Sequence, residues 1–227
     1  AASDVYNRQG LEDKYPVKYQ KQGSYVGGLF VFESKLTQEF RLHFDEKIAE
    51  MFQSIGIREG SVWIEVFHDG ENYYFNEVGF RYGGSVSIYP VDYFYQINQV
   101  AADIHYALTG ESCISEHTSL IRSTLPRKKY YCIYPVHINA GTISSISGLD
   151  KIAQLENIVY LATTKYLHDR IESSGSFSQV FALVHFVCNT TEECIQTIDR
   201  IHQMLVVFDE HGNNMVNRML DVGKIIF

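Results

Sequence analysis

Glu65 and Glu77 stand twelve residues apart in two aromatic, β-rich runs, and Asp69-Gly70 lies between them. An Asp-Gly pair between such runs is a strong short-range hairpin signal. A three-residue loop, Gly70 to Asn72, sets Asp69 against Tyr73 and brings Glu65 directly opposite Glu77 on one sheet face. A two-residue loop would put them on opposite faces, because side chains alternate along a strand. In the first register the carboxylates share their face with Trp63, Phe67, Tyr73 and Phe75. Opposed Cβ atoms on paired strands are roughly 5 Å apart, and like charges there repel. A divalent cation removes that repulsion, and Mg²⁺ is characteristically held by one or two carboxylates together with substrate phosphates. The competing reading is an ordinary hairpin with two solvated glutamates.

The residues just past Glu77 favour the metal. Arg81 comes four positions later, then Gly83-Gly84-Ser85, where backbone without side chains admits a close ligand. Two carboxylates, an arginine and a glycine pair form a kit for a metal-bridged polyphosphate. In these residues and spacings the chain resembles the metal-binding end of the ATP-grasp enzymes, closest to the biotin carboxylase and carbamoyl-phosphate synthetase large-chain branch. The resemblance implies that Glu65 and Glu77 hold Mg²⁺ (or Mn²⁺) against the ATP phosphates. It implies that Arg81 neutralises developing charge, with Gly83 and Gly84 beside the nucleotide. The family commonly carries an asparagine ligand two residues after the second glutamate, where this chain has Gly79.

The implied activity is that of an ATP- and Mg-dependent carboxylate ligase working through an acyl phosphate, with ATP and a small carboxylate as substrates. No phosphate-gripping glycine loop followed by lysine occurs before residue 60, and Gly27-Gly28 lacks a following basic residue. The 227 residues are therefore expected to be the C-terminal half of a longer synthetase, inactive without its N-terminal lobes. The alternative is a degenerate ATP-grasp-like module kept for nucleotide binding or assembly, marked by Gly79.

The elements that must position this hairpin can be read coarsely. Residues 17–22 suggest a strand and 25–33 an apolar run broken by Gly27-Gly28. A helix is expected over 45–55, capped by Asp45, with Ile48, Met51, Phe52 and Ile55 as its stripe and Gly56 as its stop. Another helix is expected over 94–108, where Phe94, Ile97, Val100, Ala101, Ile104 and Leu108 recur at helical spacing before Gly110. Strands are expected at 130–138, around Ile143, at 158–163 and at 180–187, with a short helix or turn at 149–152. Residues 190–205 give the clearest helix, with Thr190 or Thr191 before Glu192-Glu193 and an apolar face of Ile195, Ile198, Ile201, His202 and Leu205. Residues 171–179 read as a candidate flexible loop, the alternative being a plain surface connection.

The expected fold class is α+β: an antiparallel sheet with flanking helices, followed by a small α+β subdomain. The boundaries are 1–110 for the metal- and phosphate-bearing lobe, 111–129 for a connector and 130–227 for the C-terminal subdomain. A 45% hydrophobic and 14% aromatic chain excludes a disordered tail. The net charge of −8 argues against nucleic acid or an anionic membrane as partner. The N-terminal residues have no signal-peptide pattern, and a cytoplasmic location is expected. Cys113, Cys132, Cys188 and Cys194 contain no Cys-x-x-Cys, fit neither a zinc clip nor a redox motif, and are expected to be buried free thiols. The nine histidines form no ligand pair; His185 reads as a hydrogen-bonded core residue. The apolar end, Ile225-Ile226-Phe227, allows a homodimer.

Overall fold

The computed structural model describes residues 11–113 and 129–227. It is α+β, with antiparallel strands throughout and five helices among the described residues. Two compact units emerge: residues 36–113 form one, and residues 11–35 with 129–227 form the other. This division does not follow sequence order at residues 110 and 130, because the first two strands join the later sheet. Most of the expected connector, 114–128, lies outside the described residues.

In the unit formed by 36–113, helix α1 (Thr37–Ser54) starts well before Asp45, which lies within it rather than capping it. Ile55 and Gly56, the latter at φ +84°, end it as expected. Strands β3 (Trp63–His68) and β4 (Tyr73–Gly79) form the hairpin. The single helix expected over 94–108 is two. Helix α2 (Ile88–Tyr95) closes at Gln96, a left-handed residue at φ 54°, and α3 (Gln99–Thr109) begins afresh. Asn98 caps α3 by accepting a hydrogen bond from the Ala101 N–H at 3.0 Å, and Gly110, left-handed at φ 73°, stops it.

The other unit is built on a five-stranded antiparallel sheet. Strands β1 (Glu12–Tyr19), β2 (Ser24–Phe32), β5 (Tyr130–His137), β9 (Val180–Cys188) and β7 (Ile158–Thr163) lie in the order β1-β2-β5-β9-β7. Pro16 enters β1 at a bulge, where a proline is tolerated because the ladder already skips a residue. Gly28 is the skipped partner, and a Cβ there would press into Val17. The Gly27-Gly28 pair is thus a sheet device. A second, three-stranded sheet holds β6 (Gly141–Ser147) between β10 (Val206–Asp209) and β8 (Arg170–Ile171).

The short helix α4 (Leu149–Ala153) and α5 (Thr191–Met204) complete this unit. Thr190 caps α5 by accepting from the Glu193 N–H at 3.2 Å, and Cys194, Ile198, Ile201 and His202 are buried along it. The core joins Cys194, Ile198 and Ile201 to Cys132, Val136, Phe181, Val184 and Phe186 of the sheet. His185 is fully buried, with Tyr131 Oη 3.0 Å from its Nδ1.

One expectation is corrected here. Residues 171–179 are tied down rather than free: Gln179 is buried, donates to the Ile138 carbonyl at 3.0 Å and accepts from the Gly175 N–H at 2.7 Å. The apolar C-terminus folds back on its own unit. Ile225 is buried, the Phe227 ring lies 4.5 Å from that of Tyr130, and the Ile226 carbonyl accepts from the Tyr15 hydroxyl at 2.7 Å. No helix among the described residues is long and apolar enough to cross a membrane.

Candidate metal and phosphate site

Glu65 and Glu77 are opposite each other on β3 and β4. The route to that pairing differs from a simple three-residue loop. His68, not Asp69, faces Tyr73, so the connection is the four residues Asp69 to Asn72. On its own that register would set Glu65 against Asn76. A bulge between Glu65 and Val66 leaves Asn76 unpaired and moves the next partner along to Glu77. Because the bulge resets the alternation, Tyr73 and Phe75 lie with Val66 and His68 on the face opposite the carboxylates. Tyr74, which pairs with Phe67, shares the carboxylate face instead.

Each face then has its own work. Behind the hairpin, Phe40 and Phe44 of α1 pack edge-on or tilted against Tyr73 and Phe75, with ring centroids 5.1–6.1 Å apart across the cluster. The Tyr73 hydroxyl donates to Glu39 at 3.0 Å, and the His68 ring lies 4.4 Å from that of Tyr73. This aromatic clasp fixes the hairpin from one side and leaves the other to carry charge. On that side Glu65 accepts a 2.7 Å hydrogen bond from the Asn76 side chain. The bulge therefore does two things: it sets the acid pair, and it aims an amide at one member.

The turn is held by Asp69. Its carboxylate accepts from the Asn72 N–H at 2.8 Å, the Glu71 N–H at 2.9 Å and the Tyr74 hydroxyl at 3.0 Å, an Asx-type closure. These bonds, the one from Asn72 first, lower its pKa from an ordinary 3.8 to about 2. A depressed carboxylate contributes stability above its unfolded pKa and loses it as pH falls through the folded value. The Asn72 and Glu71 amide shifts are thus expected to titrate with a midpoint near 2. A midpoint near 3.8 would mean the Asx closure does not persist in solution.

Arg81 lies over the Trp63 ring, its guanidinium carbon 5.0 Å from the centroid, and donates to the Tyr82 carbonyl at 2.8 Å. Trp63 pairs with Gly79, two residues along from the acid pair and on the same face, so Arg81 is brought to the carboxylate side. The segment after β4 is anchored to α3: Tyr82 Oη donates to Asp103 at 2.6 Å, and Ser61 donates to the same carboxylate at 3.0 Å. Burial raises the Tyr82 hydroxyl to about 12, so it stays a donor at neutral pH.

The two glycines differ. A Cβ on Gly83 would displace the Ser87 hydroxyl and lie 3.3 Å from Trp63, so space at this position is tight. Nothing stands within 4 Å of a Cβ built on Gly84, which leaves its backbone open to a ligand. At Gly79 a Cβ would find only ordinary contacts at 3.5 Å, with Arg81 and Trp63. The structure thus places Glu65, Glu77 and Trp63 on one hairpin face with Arg81 stacked on Trp63, and shows two polar partners that sequence reasoning missed, Asn76 at Glu65 and Asp103 at Tyr82. An asparagine one residue before a glutamate carries no signal without knowledge of the bulge.

The chain resembles solved ligase structures over most of its length. An L-amino acid ligase from Bacillus licheniformis superposes at TM-score 0.67 with 20% identity, over 89% of this chain and 52% of that one. A phosphoribosylglycinamide synthetase from Anaerococcus prevotii superposes at 0.69 with 13% identity, over 91% and 51%. The biotin carboxylase domain of a thermophilic 2-oxoglutarate carboxylase, bound to bicarbonate, superposes at 0.58 with 14% identity, over 84% and 42%. The chain has an ATP-grasp fold. It spans about half the length of the solved structures it matches. No protein-family model and no curated sequence matches it.

Proposed function

We propose that this ATP-grasp chain is the metal- and phosphate-binding part of an ATP-dependent ligase that activates a small carboxylate as an acyl phosphate. The observation that carries this reading is the register of the hairpin. It sets Glu65 against Glu77 and, on the same face, stacks Arg81 on Trp63. Two opposed carboxylates beside an amide are a hard-oxygen donor set, which suits Mg²⁺ or Mn²⁺. Glu65 and Glu77 hold the ion, and when bound it supplies charge neutralisation on the ATP phosphates.

This chain's own residues do the rest. Arg81 offers a fixed positive fork to a phosphate oxygen, held in place by its stack on Trp63 and by the Tyr82–Asp103 anchor. Its charge opposes the negative charge that builds up as the substrate carboxylate attacks the γ-phosphorus and the bond to the ADP oxygen breaks. A nucleophile such as an amine then attacks the acyl carbon and releases phosphate. Gly84 lets the backbone approach the nucleotide, and Gly83 keeps the turn tight. Phe67 and Tyr74 stand 58% and 54% exposed on the carboxylate face, apolar surface that further lobes of a longer protein would cover.

Gly79 supports the second reading, a nucleotide-binding module without ligase chemistry, since it offers no side-chain ligand. The chain has one tryptophan, Trp63, so its fluorescence reports on this site. Mn²⁺, a paramagnetic quencher, is expected to dim it saturably and far more strongly with ATP than without. No ATP-dependent quenching would remove both readings. Quenching with no ADP formed by the intact protein across a panel of carboxylic acids would favour the module. Because a side chain fits at 79, Gly79→Asn is expected to tighten Mn²⁺ binding by about tenfold, as one added oxygen ligand worth about 1.4 kcal/mol would do. Unchanged or weaker affinity would show that position 79 does not face the ion.

A further inference from the structure

Three cysteines that are far apart in sequence meet in the core of the unit formed by 11–35 and 129–227. Cys132 comes from β5, Cys188 is the last residue of β9, and Cys194 sits in the first turns of α5. Their relative exposures are 0%, 3% and 0%. Cys132 Sγ lies 3.6 Å from Cys188 Sγ and 3.8 Å from Cys194 Sγ, and all three sulfurs fall within 4.8 Å of one another. Among the described residues this is the one group of three such side chains close enough to share an ion.

We propose that Cys132, Cys188 and Cys194 form a three-thiolate site for a thiophilic divalent cation of the zinc class. The sulfur spacing fits such an ion. Zinc–sulfur bonds of about 2.3 Å in a tetrahedral site put neighbouring sulfurs about 3.8 Å apart. The triad already holds two of its sulfur pairs close to that spacing and the third within 4.8 Å.

Access fits as well. Cys188 lines a surface cavity of about 570 Å³, together with Asn189, Glu193, Lys129 and Arg200. Cys188 is the member of the triad that borders this cavity, so an ion's route to the sulfurs would lie on its side. Three thiols and one divalent ion give a tris-thiolate complex of net charge −1, with three protons released to solvent. The cavity wall carries Lys129 and Arg200 against Glu156 and Glu193, so its formal charges cancel. Three buried thiolates without an ion would carry −3 in an apolar core, a state that burial forbids.

The site is separate in place and in chemistry from the carboxylate pair, which selects hard ions through oxygen. Cys113, by contrast, is exposed, which corrects the expectation that all four cysteines are buried, and it takes no part.

The test uses the whole chain, reduced and freed of metal, carrying Glu77→Gln so that the carboxylate site does not compete. Anaerobic titration with Co²⁺ is expected to give a sulfur-to-cobalt charge-transfer band and tetrahedral d–d bands, saturating at one ion per chain and erased by one equivalent of Zn²⁺. Cys188→Ser, at the cavity wall, is expected to weaken binding by about 100-fold, since even outer-shell partners cost about 10–100-fold. Cys113→Ser is expected to change nothing. No sulfur band at one equivalent, or a band that survives in both Cys188→Ser and Cys194→Ser, would overturn the proposal. So would a Cys132–Cys188 disulfide, seen as a two-proton mass loss in protein isolated without reductant. If Cys188→Ser does not fold, the wild-type stoichiometry and the sulfur band decide the matter.

Discussion

Glu77→Gln is expected to weaken Mn²⁺-dependent ATP binding by about 100-fold, read as loss of ATP-dependent quenching of Trp63. Replacing one of two carboxylates in a hard-ion site by an amide takes away a unit charge and leaves a weaker, neutral oxygen donor. A loss of about 2.7 kcal/mol corresponds to that factor. The same substitution should leave the metal-free protein as stable as before or slightly more so. Glu65 and Glu77 face each other across the strand pair, and without an ion their repulsion opposes folding by about 0.2–1 kcal/mol. Binding should therefore fall while melting temperature does not. Mg²⁺ with ATP should stabilise the wild type against heat but not the variant, because a ligand that binds only the native state raises its stability by mass action. If instead Glu77→Gln unfolds the hairpin and leaves nucleotide affinity intact, Glu77 is a structural residue.

The largest effect on stability is expected from Phe186→Ala. Phe186 is fully buried on β9, where it stands opposite Cys132 on β5 and Ile158 on β7, inside the core cluster that α5 covers. Truncating it removes a ring from a packed interior that can relax only in part, at a cost of about 3–5 kcal/mol. Typical domains hold about 5–15 kcal/mol in all, so the midpoint of urea unfolding should fall sharply with little change in slope. The hairpin belongs to the other compact unit, so the aromatic clasp around Tyr73 and Phe75 supplies an internal comparison. A cost under about 1 kcal/mol would mean that the sheet–helix core tolerates a cavity at its centre.

The acid pair was legible in the sequence, although two deviations cancelled to make it so. The loop is one residue longer than a simple hairpin count allows, and the Asn76 bulge restores the Glu65–Glu77 pairing. Residues on the turn side of the bulge show the uncancelled shift: Tyr73 and Phe75 turn to α1 instead of joining the carboxylates. Bulges obey cross-strand packing, which no single strand encodes.

The helix over 191–204 was readable because its cap, its acidic first turn and its apolar stripe all point the same way. Helix α1 was readable only at its end. Its start is set by Phe40 and Phe44 packing on the hairpin, and Asp45 resembles a cap without being one. Likewise, nothing local in 12–32 says that these strands continue a sheet begun a hundred residues later through the pairing of Phe30 with Ile133. The cysteine triad is the extreme case. Spacing along the chain showed no ligand motif, because the three sulfurs come together only through strand register and helix docking.

Whether Glu65 and Glu77 hold a hard ion against the phosphates of ATP is tested most directly in crystals grown with Mn²⁺ and a non-hydrolysable ATP analogue. Data would be collected at the manganese absorption edge. An anomalous peak is expected between the two carboxylates, also touching the analogue's phosphates, with Arg81 still stacked on Trp63. A bound analogue whose manganese lies away from both glutamates would contradict that assignment.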